Sequence, residues 1–167
     1  MQKRPNSTQL LIRKGISKAS RIIKASRKAV YDAFIDPKSV AVWLAPDNMR
    51  GEVHDWDVRE GGTFRMTLTY LDPAQSPGGK TTKDQDSFRG RFAEIIPYEE
   101  IVEIIEFESK DPRMKGEMEM TVSLADTKGG TEVTLLFQDI PPGIRPEDND
   151  KGSRQSLRKL ARLLETA

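Results

Sequence analysis

Hydrophobic and polar residues alternate along most of the chain between residues 52 and 140, and this period of two predicts strands. An earlier segment, residues 15–26, carries isoleucines among basic residues and predicts a first strand. Turn signals such as Gly61-Gly62 separate the segments, which is typical of antiparallel connections. The later predicted strands are residues 52–58, 63–71, 87–96, 101–108, 117–125 and 131–140, of which 101–108 is apolar on both faces at its centre.

Helical spacing replaces this alternation in three places. Ser26 is a suitable N-cap for a short helix over residues 26–35, and Asp36-Pro37 ends that helix and begins a second one. A final helix follows Pro146, with acidic residues at its start and basic residues at its end, as the helix macrodipole favours. Its single apolar stripe consists of Leu157, Leu160, Ala161 and Leu164.

This order of elements predicts an α+β fold: a curved seven-stranded antiparallel sheet, two short helices after strand one, and a long C-terminal helix. A sheet with one apolar face must cover that face. One helix covers only part of a wide curved sheet, so we expect an apolar cavity between the sheet and the helix. The expected organisation is a flexible N-terminal segment over residues 1–13 and a single domain over residues 14–167.

The expected cavity takes its walls from the apolar strand faces and from the final helix. Strict alternation over residues 52–58 places His54 on the same face as Trp56, so His54 and Tyr70 are the candidate polar groups. The methionines suit ligands of varied shape, although the same side chains could equally form an ordinary filled core. The predicted lining residues are Trp43, His54, Trp56, Phe64, Met66, Tyr70, Phe88, Phe92, Met118, Met120, Phe137, Leu157 and Leu160.

Composition narrows the chemistry of such a site. The chain has no cysteine and one histidine, which excludes disulfides, thiolate sites and multi-histidine metal centres, so we expect no metal and no cofactor. An enzyme of the cyclase or hydrolase type would need His54, Tyr70 or Asp57 to converge as acid and base. Asp57 and Arg59 are better explained as an ion pair that fixes a turn. The sequence therefore favours a binding protein over an enzyme.

Charge and hydropathy limit the partners. Residues 1–28 hold nine Lys or Arg and no acid, which leaves a net charge of −8 on the rest of the chain. No aromatic residue stands among these basic residues to stack a base, so a solvated face is favoured over nucleic-acid binding. No stretch approaches the roughly 20 apolar residues of a membrane span. The apolar run at residues 10–12 is too short for a secretory signal, and we expect a cytoplasmic protein.

Four segments in order carry a family resemblance: residues 25–37, Val42-Trp43, residues 56–64, and Gly90 with the later stretches 94–99 and 130–135. Together they resemble the START-like (SRPBCC) helix-grip superfamily, and more closely its branch of homologues of the activator of the 90-kDa heat-shock-protein ATPase. The resemblance implies the helix-grip fold and a cavity. It does not imply one activity, because the superfamily contains lipid carriers, cyclases, hormone receptors and co-chaperones.

Two departures from that branch bear on the cavity. Leu44 stands where the second residue of an aromatic pair is usual, and Ser153 stands where the final helix usually has tryptophan. We expect the second change to widen the cavity or to leave it to be filled by Trp56. Three hypotheses follow in order: binding of a small apolar or amphipathic molecule, protein interaction of the co-chaperone type, and catalysis in the cavity.

Overall fold

Seven strands pair antiparallel in the order β1-β7-β6-β5-β4-β3-β2 in the computed structural model, which describes residues 15–72, 74, 79–82 and 84–165. The strands are β1 (Ser17–Ile23), β2 (Met49–Trp56), β3 (Thr63–Tyr70), β4 (Gln85–Ile96), β5 (Glu100–Phe107), β6 (Met118–Thr127) and β7 (Gly130–Gln138). The helices are α1 (Arg27–Ile35), α2 (Pro37–Trp43) and α3 (Pro146–Glu165). The sheet curls into a half-barrel, and the predicted fold class is confirmed.

Local sequence signals account for the two short helices. The hydroxyl of Ser26 accepts a hydrogen bond from the backbone N–H of Ala29 at 3.1 Å, which caps α1. The carboxylate of Asp36 accepts from the N–H of Lys38 at 3.2 Å, and Pro37 occupies the first turn of α2, where its missing N–H costs nothing. Capping and proline placement therefore fix the break between α1 and α2 where the sequence predicts it.

Helix α3 covers the apolar face of the curled sheet. Leu157, Leu160 and Ala161 are at most 2% exposed and belong to one core cluster with the apolar strand residues. The helix also approaches the edge strand β1, where the side-chain amide of Asn149 donates to the hydroxyl of Ser17 at 2.9 Å. The predicted apolar stripe of the last helix is therefore the surface that the sheet grips.

A β-bulge in β2 overturns one expectation. Val53 pairs with Met66 and Trp56 pairs with Phe64, with the register shifting between Val53 and Asp55. An extra residue at a bulge reverses the alternation of side chains beyond it. Val53 and Trp56 therefore both pack against the core, whereas His54 is exposed on the opposite face. The prediction that His54 shares a face with Trp56 was wrong for this reason.

Two other expectations concern the N-terminal segment and the absence of a membrane span. The predicted flexible segment, residues 1–13, lies outside the described residues, together with its three basic residues. Within the described ranges, no helix is both long enough and apolar enough to cross a membrane.

Candidate functional site

The candidate site is the inner face of the sheet, which we define as the face that packs against α3. Alternate residues of β3 to β6 point to it, and those on the other face form the outer face. Its buried apolar side chains on these four strands are Phe64, Met66, Phe88, Phe92, Ile101, Ile105, Met118, Met120, Val122 and Leu124. Most of the strand residues predicted to line a cavity therefore share one buried surface, and Phe137 joins them half-buried.

Three aromatic rings occupy one region of this inner face. The ring centroid of Trp56 lies 5.6 Å from that of Phe64 and 5.3 Å from that of Phe92, and the two phenylalanine rings are 5.2 Å apart. The indole N–H of Trp56 donates to the carbonyl of Ile35 at 2.7 Å, which ties β2 to the end of α1. Trp56 thus packs beside β3 and β4 and joins them to α1.

Gly90 explains how Phe64 lies so close to the sheet. A methyl group added at Gly90 would come within 2.5 Å of the Phe64 ring and 2.3 Å of the carbonyl oxygen of Ile104. Both distances are too short for real side chains, so the Phe64 ring occupies the place of the absent side chain.

Trp43 has a structural part in the core. It is 2% exposed, its ring centroid lies 4.6 Å from that of Phe34, and its indole N–H donates to the carbonyl of Ala33 at 2.9 Å. These contacts join α1 and α2, so Trp43 holds the two short helices together.

Glu103 is the unexpected residue of the inner face. It lies in β5 opposite Phe92 on one side and Met120 on the other, and it is 7% exposed. Its carboxyl group makes no hydrogen bond or ion pair with any of the residues that the structure describes. Burial alone raises the pKa of Glu103 to about 8. The carboxyl group is therefore mostly protonated at neutral pH.

Sequence reasoning missed Glu103 because its strand is apolar on both faces. The inner-face residues of β5 are Ile101, Glu103, Ile105 and Phe107, and the outer-face residues include Val102 and Ile104. Alternation could not choose between the two sets. The one available signal was Glu103 itself, a charged type in the middle of an otherwise apolar strand.

A second polar cluster lies at the other end of β4, where Tyr70 ends β3. Asp86 is 2% exposed and pairs with Lys80, whose ammonium lies 2.9 Å from the carboxylate and 5.8 Å from the centre of the Phe107 ring. Burial raises the pKa of Tyr70, and the nearby Asp86 adds to the rise. Tyr70 is half-buried here, beside the Asp86–Lys80 pair.

The three predicted acid–base candidates do not form one group. The imidazole of His54 is hydrogen-bonded to the hydroxyl of Thr67 at 2.9 Å on the outer face. Asp57 accepts from the guanidinium of Arg59 at 2.8 Å, the structural ion pair that the sequence favours. Tyr70 lies at the end of β3 and shares no hydrogen bond with either.

The outer face carries a groove of about 360 Å³ across β3, β4 and β5, and most of its lining residues are charged. Its charged residues are largely paired: Arg65 bonds Glu108 through two contacts of 2.7 and 2.9 Å, and Arg91 lies 3.0 Å from Glu117. Paired charges of this kind leave little field for an anionic ligand. Among the described residues, no group of three or more His, Asp or Glu is placed to hold a metal ion.

A sequence model of one family, Activator of Hsp90 ATPase homolog 1-like protein, matches residues 24–165. The chain belongs to this family. The resemblance inferred from the four sequence segments is thereby confirmed, and the match spans the domain from the end of β1 to the end of α3. Among curated proteins, no sequence matches the chain significantly.

Solved structures agree with the assignment. Protein CV1439 from Chromobacterium violaceum is 31% identical, with a TM-score of 0.80 over 90% of this chain and 97% of that one. The AHSA1-like protein from Aeromonas hydrophila is 20% identical, with a TM-score of 0.68 over 90% and 92%. A protein from Arthrobacter aurescens is 15% identical, with a TM-score of 0.75 over 92% and 87%. The last two likenesses show the fold alone.

Proposed function

We propose that this family member binds a small apolar or amphipathic molecule on the inner face, between the sheet and α3. The observation that carries the proposal is the carboxyl group of Glu103, which lies on the apolar inner face, is 7% exposed, and has no hydrogen-bond partner among the described residues. Buried polar groups in folded proteins are nearly always hydrogen-bonded, and an unsatisfied one costs about 1–3 kcal/mol. A ligand that supplies the missing bond explains why such a group is retained.

The neighbours of Glu103 support an apolar body for this ligand. Phe92 is fully buried, Met120 is 5% exposed, and Met118 follows on the same face at 3%. Methionine side chains adapt to irregular shapes, so this wall suits a molecule that is largely hydrocarbon. One polar anchor in an apolar surround is the usual composition of small-molecule sites.

The test compares two adjacent positions on β6, one on each face. Met120 points inward, whereas Thr121 points outward. We expect the fluorescent apolar probe N-phenyl-naphthylamine to bind the wild-type protein, and Met120→Phe to weaken that binding roughly tenfold by filling the space. Thr121→Phe should leave the affinity unchanged. Native mass spectrometry of freshly purified wild type should reveal a co-purifying small molecule.

Two outcomes would overturn the proposal. One is a protein that binds neither the probe nor any co-purifying molecule. The other is probe binding that Met120→Phe and Thr121→Phe affect equally, because the probe would then lie outside the inner face. Circular dichroism confirms that each variant is folded, and Ile105→Phe replaces Met120→Phe if the latter does not fold.

A second candidate function is protein interaction, and the family description favours it because it names an activator of an Hsp90 ATPase. In this reading the outer face would meet a chaperone partner. A pull-down with the Hsp90 of the same organism, followed by an ATPase assay, tests it. Absence of binding at micromolar concentration would exclude this function.

A further inference from the structure

We infer that the molecule bound on the inner face presents an uncharged hydrogen-bond acceptor, a carbonyl oxygen, to the carboxylic acid of Glu103. This inference rests on the proposed function and adds the chemistry of the ligand's polar group. A protonated carboxyl has one O–H donor, which no described residue accepts. The ligand atom that completes the site is therefore an acceptor.

The immediate surroundings of Glu103 keep it uncharged. Along β5 its neighbours on the inner face are Ile101 and Ile105, and across the sheet they are Phe92 in β4 and Met120 in β6. None of these four side chains carries a charge or a hydrogen-bond donor that would stabilise a carboxylate. Taking a carboxylate out of water without compensation is costly, so the group holds its proton instead.

The titratable groups of the helices are engaged elsewhere. Tyr31 of α1 lies edge-on to Tyr98, with ring centroids 5.0 Å apart. On α3, Arg158 pairs with Asp47, and the ammonium of Lys159 donates to the carbonyl of Ala45 at 2.7 Å. The buried residues of α3 that face the sheet are serine, leucine and alanine. Burial is the one cause of the raised pKa of Glu103, so no cation of the described helices stabilises its carboxylate.

The charged groups Asp86 and Lys80 and the hydroxyl of Ser17 also face inward, and all three are remote from Glu103. Asp86 and Lys80 lie at the other end of β4, and Asp86 is six residues from Phe92, or about 20 Å along a strand. Ser17 shares the transverse row of Glu103, three strands away, and accepts its hydrogen bond from Asn149. Burial is accordingly the whole cause of the raised pKa of Glu103.

A cationic ligand fits this environment less well than a neutral acceptor. An amine would have to draw the proton from Glu103 and form an ion pair, and the cost of desolvating two charges commonly cancels their attraction. A carbonyl oxygen needs no change of charge on either partner. The neutral acid can donate to it directly, and the apolar walls strengthen the bond by excluding water.

The test uses two fluorescent probes that share a ring system. Prodan is a dimethylaminonaphthalene bearing a propionyl ketone, and the control probe is dimethylaminonaphthalene without the ketone. At about pH 6 we expect wild type to bind Prodan roughly tenfold more tightly than the control probe. This preference should fall away by about pH 9.5, because the acid that donates has then lost its proton.

Two substitutions separate the hydrogen bond from the space around it. Glu103→Gln keeps an N–H donor that does not titrate, so its preference for Prodan should persist at both pH values. Glu103→Met has a similar shape without a donor, so its preference for Prodan should be absent at both. Replacing a buried unpaired carboxyl by an apolar side chain is commonly stabilising, so folding of the Met variant is not at risk.

The outcomes distinguish this inference from the function on which it rests. If wild type binds both probes equally well, or if Glu103→Met keeps the preference for the ketone, the inference is wrong while the binding site stands. A preference that grows as the pH rises also overturns it, since that would assign the contact to the carboxylate. If wild type binds neither probe, the proposed function fails as well.

Discussion

On the outer face of the sheet, Glu108 accepts two hydrogen bonds from Arg65 at 2.7 and 2.9 Å, close to the end of β5. On the inner face of the same strand, Glu103 lies between Phe92 and Met120 and has no partner among the described residues. The guanidinium of Arg65 lowers the pKa of Glu108, whereas burial raises that of Glu103. A carboxyl group within β5 and another just after its end therefore have pKa values shifted in opposite directions.

The two faces of the sheet therefore contribute differently to the stability of the protein. Ion pairs exposed to solvent, such as those of the outer face, contribute little to stability and are screened by salt. A buried unpaired carboxyl lowers the stability of the fold, and proteins retain such a cost mainly where function requires it. The contrast predicts that the outer face is tolerant of substitution and that the inner face, where apolar side chains pack around Glu103, is not.

The largest expected effect concerns packing at neighbouring positions of β4. Gly90→Ala should destabilise the protein by about 3 kcal/mol, because the added methyl group meets the Phe64 ring at 2.5 Å and a backbone oxygen at 2.3 Å. Arg89→Ala, on the outer face, should change the free energy of unfolding by less than about 1 kcal/mol. Urea denaturation measures both. If both substitutions change the free energy of unfolding equally, the predicted difference in packing between the two faces is wrong.

The next effect concerns the charge of Glu103. Glu103→Met should raise the free energy of unfolding by about 3 kcal/mol near pH 7, since the pKa lies near 8 in the folded protein and at the ordinary 4.5 in the unfolded chain. The folded state binds this proton more tightly than the unfolded state does. The stability that the proton contributes is fully present below about pH 4.5 and is lost as the pH rises through about 8.

Denaturation curves at several pH values measure how the free energy of unfolding changes with pH, in wild type and in two matched variants. Glu103→Gln cannot titrate, so between about pH 5 and pH 8 it should lack the fall in stability that wild type shows. Glu106→Gln changes an outer-face residue of the same strand, 3.9 Å from Arg89, and should keep the wild-type slope. A wild-type protein whose stability does not fall relative to Glu103→Gln over this range contradicts a raised pKa.

The smallest expected effect belongs to the Arg65–Glu108 pair. Glu108→Gln should cost about 1 kcal/mol or less, and high salt should reduce the cost further. Because Arg65 lowers the pKa of Glu108 in the folded protein, this contribution is present above the ordinary pKa of a glutamate and is lost as the pH falls. Its pH slope is thus opposite to that of Glu103. If Glu108→Gln instead lowers the free energy of unfolding by several kcal/mol, and salt does not change this loss, the pair is not screened by solvent as predicted.

Prediction from sequence succeeded where one rule applied without interruption. Phe64, Met66 and Tyr70 alternate regularly in β3, and Leu157 and Leu160 repeat at helical spacing in α3, so their faces were predictable. The order of elements then fixed the fold class and the sheet. These inferences depend on periodicity, which local sequence records directly.

The candidate site was less predictable because it depends on register. The bulge at His54 leaves no clear mark in the sequence, yet it moves that side chain to the outer face. Glu103 is assigned to the inner face only by its pairing with Met120 across the sheet. The lack of a partner for Glu103 among the described residues is likewise a property of the assembled core. Pairing between distant segments is a tertiary property that alternation within one strand does not contain.

The bulge in β2 also affects how relatives of this chain should be compared. Val53 and Trp56 are three positions apart and both pack inward, so this strand holds one residue more than regular alternation accommodates. An alignment without a gap to a relative that lacks the bulge would match inward positions of one protein with outward positions of the other. Conservation scored column by column would then mix buried inward positions with exposed outward positions along half of β2. Superposition of the backbones gives the correct correspondence.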